Sequence, residues 1–181
     1  FRDIDIAFEA LKAGQIDIFF ESEPAKWIDR ENLNAQNIQS KTIDFGLPPP
    51  FLGLVFNSRK PVFANQLTRI ALTLAYDFEW VNQNLLHGLY KRTTSYFGAG
   101  NLQAHGLPDT AEQQLLMPFS KQVPDEVYTE TFRLPTSDGS GRIRGRLREA
   151  SALLEQAGFE FHGKNLVHSS DGKPFEIELI T

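Results

Sequence analysis

The sequence has no cysteine and a single methionine among its 181 residues. The absence of cysteine excludes disulfides, thiolate metal sites and cysteine nucleophiles, although it does not fix the redox compartment. Long apolar runs are also missing. The longest nearly apolar stretch, residues 47–56, contains three prolines and is about half as long as a membrane-spanning helix. No transmembrane segment is therefore predicted.

Positive charge is scarce too, because 18 Lys and Arg stand against 23 Asp and Glu, a formal net charge of −5. This modest acidity argues against a nucleic-acid-binding surface. With 41% hydrophobic residues and 15 Phe, the composition is that of a globular protein with a sizeable core. We expect a single domain over residues 1–181. Residues 1–6 read as mid-chain sequence, so we expect a fragment or a processed product.

Helical periodicity is clear in several places. The pattern predicts a helix over residues 4–11 that ends at Gly14, and another that begins near Asn65 and runs to Phe78. Asp77 is expected to cap a further helix. A last helix precedes Gly158. The positions expected on the buried sides of the last two helices are Val81, Leu85, Leu89, Ile143, Leu147, Ala150, Leu154 and Ala157.

Short apolar or alternating runs predict strands between these helices, at residues 16–20, 52–56, 159–161, 166–167 and 175–181. The turn before the last strand contains Asp171 and Gly172, a pair that favours a hairpin. Helices and strands thus alternate along the chain. The predicted fold class is α/β, with a mixed sheet and flanking helices.

Catalytic and metal-binding motifs are not evident. None of the four histidines has metal-ligand spacing, and the serines lack a nucleophile elbow. Residues 138–141 (DGSG) resemble a phosphate loop that opens a helix, but no apolar strand precedes them. Arg142, Arg144, Arg146 and Arg148 follow. They could hold a phosphate or carboxylate, or form a solvated face.

One cluster, residues 89–98 (LYKRTTSYFG), combines two tyrosines, two cations and three hydroxyls. Arginine recognises carboxylates through two hydrogen bonds, and tyrosine adds contact area and a hydroxyl, so the cluster suits a peptide or a small acid. The alternative is a helix-to-loop joint in which Tyr90 and Phe97 anchor the core and Arg92 forms a structural ion pair. Spacing alone does not separate these interpretations.

Three stretches together resemble the family 5 extracellular solute-binding proteins: residues 50–58 (PFLGLVFNS), 61–63 (PVF) and 69–80 (RIALTLAYDFEW). Residues 11–17 (LKAGQID) are similar to the family's entry into its second lobe. Residues 90–97, the DGSG motif and residues 153–159 (LLEQAGF) resemble more specifically the Yej-type oligopeptide receptors. Where the family more commonly has Ala-Ile-Asp, this sequence has Ala75-Tyr76-Asp77.

The resemblance implies part of the second, C-terminal lobe of a two-lobed periplasmic binding protein of type II fold. Such a receptor is periplasmic or lipid-anchored and non-catalytic, binds oligopeptides without cofactor or metal, and delivers them to ABC permease subunits. The ligand-binding residues expected on this basis are Asn57, Tyr90, Arg92, Ser95 and Tyr96. Apolar surface left by a missing lobe would make the fragment self-associate.

A second hypothesis stays open. A small sensor or enzyme domain could use the face formed by Arg142 to Arg148 and the DGSG turn to hold a phosphorylated ligand. Phosphate-dependent thermal stabilisation would then be lost in the R142A and R144A variants.

Overall fold

The computed structural model describes residues 1–21, 27, 38–43, 46, 53–98 and 102–180. Residue contacts divide the chain into two compact units. The first contains residues 1–47 and 81–91, and the second contains residues 48–80 and 92–181.

The first unit begins with helix α1, Ile4–Lys12. The Asp3 carboxylate caps it by accepting the backbone N–H groups of Asp5 and Ile6 at 2.8 and 3.2 Å, which satisfies donors that have no partner within a helix. Phe8 is buried, and its ring centroid lies 5.6 Å from that of Phe19. The helix ends just before Gly14, which has a φ of +71°. The predicted first helix is confirmed.

Most described helices fall in the second unit. Their bounds are Pro61–Ala64 (α2), Gln66–Ala75 (α3), Phe78–Asn84 (α4), Thr110–Leu116 (α5), Glu126–Thr129 (α6) and Arg144–Gln156 (α7), with a 3₁₀ turn at Met117–Phe119. Helix α4 starts in the second unit and continues into the first. Asn65 caps α3, since its Oδ1 accepts the Leu67 N–H at 2.9 Å. None of the helices in the described ranges is long and apolar enough to cross a membrane.

The core of the second unit lies between α3 and α7. Ala71, Leu74 and Ala150 are buried there, with Leu153 and Leu154 packed against them. Small side chains such as those of Ala71 and Ala150 allow two helices to approach closely. The stripe repeats every three to four residues on each helix, which is why periodicity located both helices.

Two corrections concern buried positions. Leu85 and Leu89 are 60% and 46% exposed, because α4 ends at Asn84 before it can bury them. Leu147 is 47% exposed. The side chain of Arg146, one residue earlier, occupies the inward position instead and is only 15% exposed.

The described strands form one hairpin. β1, Phe159–His162, pairs antiparallel with β2, Asn165–His168, and a further turn brings Pro174 opposite Val167. Gly172 has the positive φ, +68°, that the predicted turn requires.

The other predicted strands are wrong where they are described: residues 16–20, 53–56 and 175–180 are not strands. Residues 52 and 181 lie outside the described part. An alternating pattern makes a strand only where a neighbour supplies a hydrogen-bond ladder. In the described residues the fold is therefore helices with one hairpin, and the predicted mixed sheet has only this small counterpart.

Candidate functional site

Five polar side chains meet where α3 passes into α4: Asp77, Glu79, Arg92, Ser137 and Arg146, which we call the junction cluster. They come from distant parts of the chain but belong to the same unit. The cluster joins the start of α4 to the loop that precedes α7.

Asp77 is the centre of this cluster and is 9% exposed. Its Oδ1 accepts the Ser137 hydroxyl at 2.5 Å and the Trp80 N–H at 3.3 Å. Nη2 of Arg146 lies 3.7 Å from the same oxygen. A carboxylate is stable in a buried position only when donors compensate for its lost hydration. Two hydrogen bonds and one ion pair thus converge on Oδ1, while Oδ2 is buried without a hydrogen bond among the described residues.

Ser137 links the cluster to the loop before α7. Its backbone N–H donates to Oε2 of Glu79 at 3.1 Å, and its own hydroxyl oxygen accepts the Gly139 N–H at 3.1 Å. Ser137 therefore donates to Asp77 and accepts from Gly139 at once. The two carboxylates and the hydroxyl fix the position of the loop.

Arg92 lies between two aromatic rings of the second unit. Its guanidinium carbon is 5.9 Å from the Tyr76 ring centroid and 5.4 Å from that of Phe78. Nη1 donates to the Pro135 carbonyl at 3.3 Å. Burial lowers the pKa of the Arg92 guanidinium, and the charge of Glu79 opposes that shift. The two rings and the carbonyl hold the guanidinium in place.

The DGSG motif has a structural role here. Gly141 has a φ of +73°, and a Cβ at this position would lie 3.0 Å from Cδ1 of Trp80. The loop can therefore approach the indole ring only with glycine at this position.

Three amides of this loop are already used. The N–H groups of Gly139, Ser140 and Arg142 donate to side chains of the same loop. A phosphate-binding loop needs such amides for its ligand. The arrangement therefore gives no support to a phosphate cradle at this loop.

The four arginines before and within α7 do not form one solvated face. Arg146 turns inward to Asp77 and to the Tyr76 carbonyl, which lies 3.4 Å from Nη2. Arg142, Arg144 and Arg148 are exposed. Arg142 and Arg144 line a cavity of about 430 Å³.

The residues predicted to bind ligand are placed as follows. Asn57 organises a turn, because its Oδ1 accepts N–H and Nε of Arg59 at 3.2 and 3.4 Å. Tyr90 belongs to the first unit, where its backbone exchanges two hydrogen bonds with the Asn82 side chain. The side chain of Asn57 and the backbone of Tyr90 are thus engaged in contacts within the protein.

Ser95 and Tyr96 lie in the loop after Arg92. The Ser95 hydroxyl oxygen accepts N–H groups of Phe97 and Ala104 at 3.2 and 3.4 Å, so it ties the loop together. Tyr96 is 82% exposed. Of the five predicted residues, Arg92 is the one that lies in the junction cluster.

Sequence reasoning missed Arg146 and Ser137 as members of this cluster. A signal for Arg146 exists: it lies four residues before the buried Ala150, on the same helical face. Ser137 carried no comparable pattern. No group of three or more His, Asp or Glu among the described residues could hold a metal ion.

Comparison with known proteins agrees with the resemblance found in the sequence. Residues 1–180 match the family described as "Bacterial extracellular solute-binding proteins, family 5 Middle". A Brucella melitensis protein is 39% identical over 185 residues, which cover 100% of this chain and 30% of that protein.

Two proteins of Agrobacterium fabrum are also similar. The "Probable peptide-binding protein YejA" is 31% identical over 188 residues, covering 99% of this chain and 30% of its own length. The "Peptidoglycan-binding protein YepA" is 35% identical over 193 residues, covering 100% and 31%. The chain thus spans about three tenths of these relatives. The resemblance to Yej-type receptors is confirmed, and the chain belongs to family 5 of the bacterial extracellular solute-binding proteins.

Proposed function

We propose that this chain is part of a receptor that binds oligopeptides in the periplasm and delivers them to the permease subunits of an ABC importer. The observation that carries this proposal is the match over 99% of the chain to a relative named as a probable peptide-binding protein. Within that receptor, we assign the chain to the C-terminal lobe as a single domain.

A receptor that accepts many peptides holds the ligand backbone with hydrogen bonds and leaves room for varied side chains. It needs no nucleophile, cofactor or metal for this task. We therefore propose that the protein is not an enzyme.

The proposed ligand-binding residues remain Asn57, Tyr90, Arg92, Ser95 and Tyr96. Their roles in the structure differ. The exposed ring of Tyr96 offers contact area directly to a ligand. The guanidinium of Arg92 is held by two rings and a carbonyl, so it would act on a ligand from a fixed position.

Self-association of the isolated chain is a further part of the proposal. Exposed apolar side chains include Phe20, Val55 and Ile180, which are 76%, 83% and 87% exposed. Surfaces of this kind associate when nothing covers them. Light scattering that finds only monomer at every concentration would contradict this expectation.

The test of the receptor function is native mass spectrometry of the full-length protein, purified without refolding. Gentle release of the bound molecules then identifies the ligand. We expect a heterogeneous set of short peptides. A protein that is empty and also ignores a peptide library would refute the proposal, and a single phosphorylated adduct would favour the phospholigand alternative.

A second candidate ligand is peptidoglycan or its fragments. It is favoured by the relative named as a peptidoglycan-binding protein, which is 35% identical over the entire chain. The same mass spectrum identifies peptidoglycan fragments that carry amino sugars, because linear peptides lack those masses.

A further inference from the structure

The hairpin has one edge that no strand of the described residues covers. β2 lies between β1 and the segment that follows the hairpin, because His168 N–H donates to the Lys173 carbonyl and Phe175 N–H donates to the Leu166 carbonyl, both at 2.8 Å. The far edge of β1 has no such neighbour in the described part of the chain. Edge strands commonly avoid pairing through a proline, a lysine or a bulge. β1 (FEFH) has none of these, and its register with β2 is unbroken.

The backbone groups of Phe159 and Phe161 point to this open edge. In an antiparallel ladder, facing residues alternate between pairs that bond to each other and pairs whose backbone groups point away. Leu166 and His168 use their groups on the side of β2 that is remote from β1. Their partners across the hairpin are Phe161 and Phe159, whose backbone groups therefore point away from β2. Two N–H groups and two carbonyls thus face the open edge.

The side chains of β1 alternate between a polar face and an aromatic face. Glu160 and His162 share the polar face, where Nε2 of His162 lies 3.1 Å from Oε1 of Glu160. Phe159 and Phe161 share the aromatic face. Phe159 is buried, and its ring centroid lies 5.0 Å from that of Phe175. Phe161 is 55% exposed, so a further strand at this edge would cover apolar surface as well as pair with the backbone.

A second copy of β1 is complementary to this edge. A two-fold axis at Phe161 lets its N–H and carbonyl bond to those of Phe161 in the second copy, because these groups point outward. Glu160 of each copy then faces His162 of the other. These two contacts are non-hydrogen-bonded pairs, in which facing Cα atoms lie about 4.5 Å apart and side chains are closest. An acid and an imidazole therefore meet on both sides of the axis.

Other registers of the same two edges are unfavourable. A shift of two residues is the smallest that keeps outward backbone groups opposite one another. In one direction it places Glu160 against Glu160 of the second copy, and in the other it places His162 against His162. Like charges that face each other directly destabilise a sheet. The alternation of acid and imidazole thus selects the register that is centred on Phe161.

We propose that β1 pairs antiparallel with β1 of a second copy of the protein, centred on Phe161. The inference rests on the self-association proposed above, for which it names the partner and the surface, and it applies to the full-length protein. Two hairpins of two strands each become one sheet of four, and a sheet of more than two strands is the more stable form. The contact uses the open edge of both copies, so association stops at the dimer.

The first experiment measures the dissociation constant of the full-length dimer by sedimentation equilibrium. E160K and H162E each place groups of like charge in both facing pairs, so each variant should dimerise about tenfold more weakly. The exchanged variant E160H/H162E should dimerise as the wild type does. An equimolar mixture of E160K and H162E should form the mixed dimer, because each new side chain then faces a group of opposite charge. E155K, at an exposed position of α7, makes the same charge change outside β1 and should have no effect.

The second experiment locates the axis by disulfide formation. The chain has no cysteine, and any cysteine elsewhere in the full-length protein is first replaced by serine. In F161C the two Cα atoms would lie about 5.5 Å apart, a separation that a disulfide spans. Oxidation should therefore yield a covalent dimer. K164C, at an exposed position of the same hairpin, faces a different residue of the second copy and should stay monomeric. Circular dichroism confirms that each variant is folded.

The outcomes separate this inference from the self-association on which it rests. A full-length protein that is monomeric at every concentration overturns both. A dimer that is unaffected by E160K and H162E, that the exchanged variant fails to restore, or that K164C links as readily as F161C leaves self-association standing and refutes the β1 contact. None of these results changes the ligand that mass spectrometry identifies, so the receptor function is tested independently.

Discussion

Gly141 offers a sharp test of how the loop before α7 is fixed. In the G141A variant, alanine must adopt a φ near +73°, which costs about 1 kcal/mol. The new Cβ would also lie 3.0 Å from Cδ1 and 3.1 Å from Nε1 of Trp80. Overpacking of this kind costs a further 1–3 kcal/mol, roughly. We expect the free energy of unfolding to fall by about 2–4 kcal/mol.

The control is G163A. Gly163 has a similar φ of +65°, but a Cβ there would meet nothing within 4 Å. Both residues lie in the second unit, so urea unfolding followed by circular dichroism reports both on one scale. The control should lose only the conformational part, about 1 kcal/mol. Equal losses in the two variants would refute the argument that contact with Trp80 requires glycine.

A double-mutant cycle isolates the contact itself. Replacing Trp80 by leucine removes the indole atoms against which the new Cβ would press. The extra cost of G141A over G163A should then largely disappear, because the coupling resides in that pair. Additive losses would show that the cost arises elsewhere in the loop.

Two further predictions concern polar groups. S137A should lower the free energy of unfolding by about 1.5–3 kcal/mol, because the buried Asp77 loses the hydroxyl that donates to it at 2.5 Å. Urea denaturation of S140A, a substitution at an exposed serine, is the control and should show a clearly smaller loss of stability. Equal losses in the two variants would contradict the role of the Ser137–Asp77 hydrogen bond. The hydrogen bond from Lys173 holds the pKa of Asp171 below its ordinary 3.8. The stability that this interaction adds is therefore present above that pH and is lost as the pH falls and the carboxylate takes up a proton. D171N should therefore lower the melting temperature at pH 7 but not near pH 2, and a difference independent of pH would refute it.

The helices were accessible from the sequence because each carries its own signal. Apolar residues repeat with the helical period on both α3 and α7. The face that the period marks on each helix is the face that is buried, with Ala71 and Leu74 on α3 and Ala150 on α7. A strand depends on its own residues and also on a neighbouring strand elsewhere in the chain. Residues 175–180 alternate well, yet a strand also needs the partner that completes its ladder, and no local pattern specifies that partner.

The site was less predictable for a similar reason. Arg92 and the DGSG motif stood out in the sequence, but a pattern of residue types cannot show which donors are already used inside the protein. The loop amides at Gly139 and Ser140 donate to neighbouring side chains, so a motif typical of phosphate binding has a structural role here. Arg146 was missed although it lies on the helical face of Ala150, because arginine is mostly exposed in proteins and is not expected on a buried face.

Burial divides the arginines of this region into two kinds, and the division predicts how each should respond to substitution. Arg92 and Arg146 are held by rings, a carbonyl and a carboxylate, so replacing either should reduce stability, and any loss of affinity should accompany that loss. Arg142 and Arg144 are exposed, so replacing either should change the free energy of unfolding by no more than about 0.5 kcal/mol. At Arg92, a loss of binding therefore identifies a ligand contact only when it exceeds what the loss of stability explains.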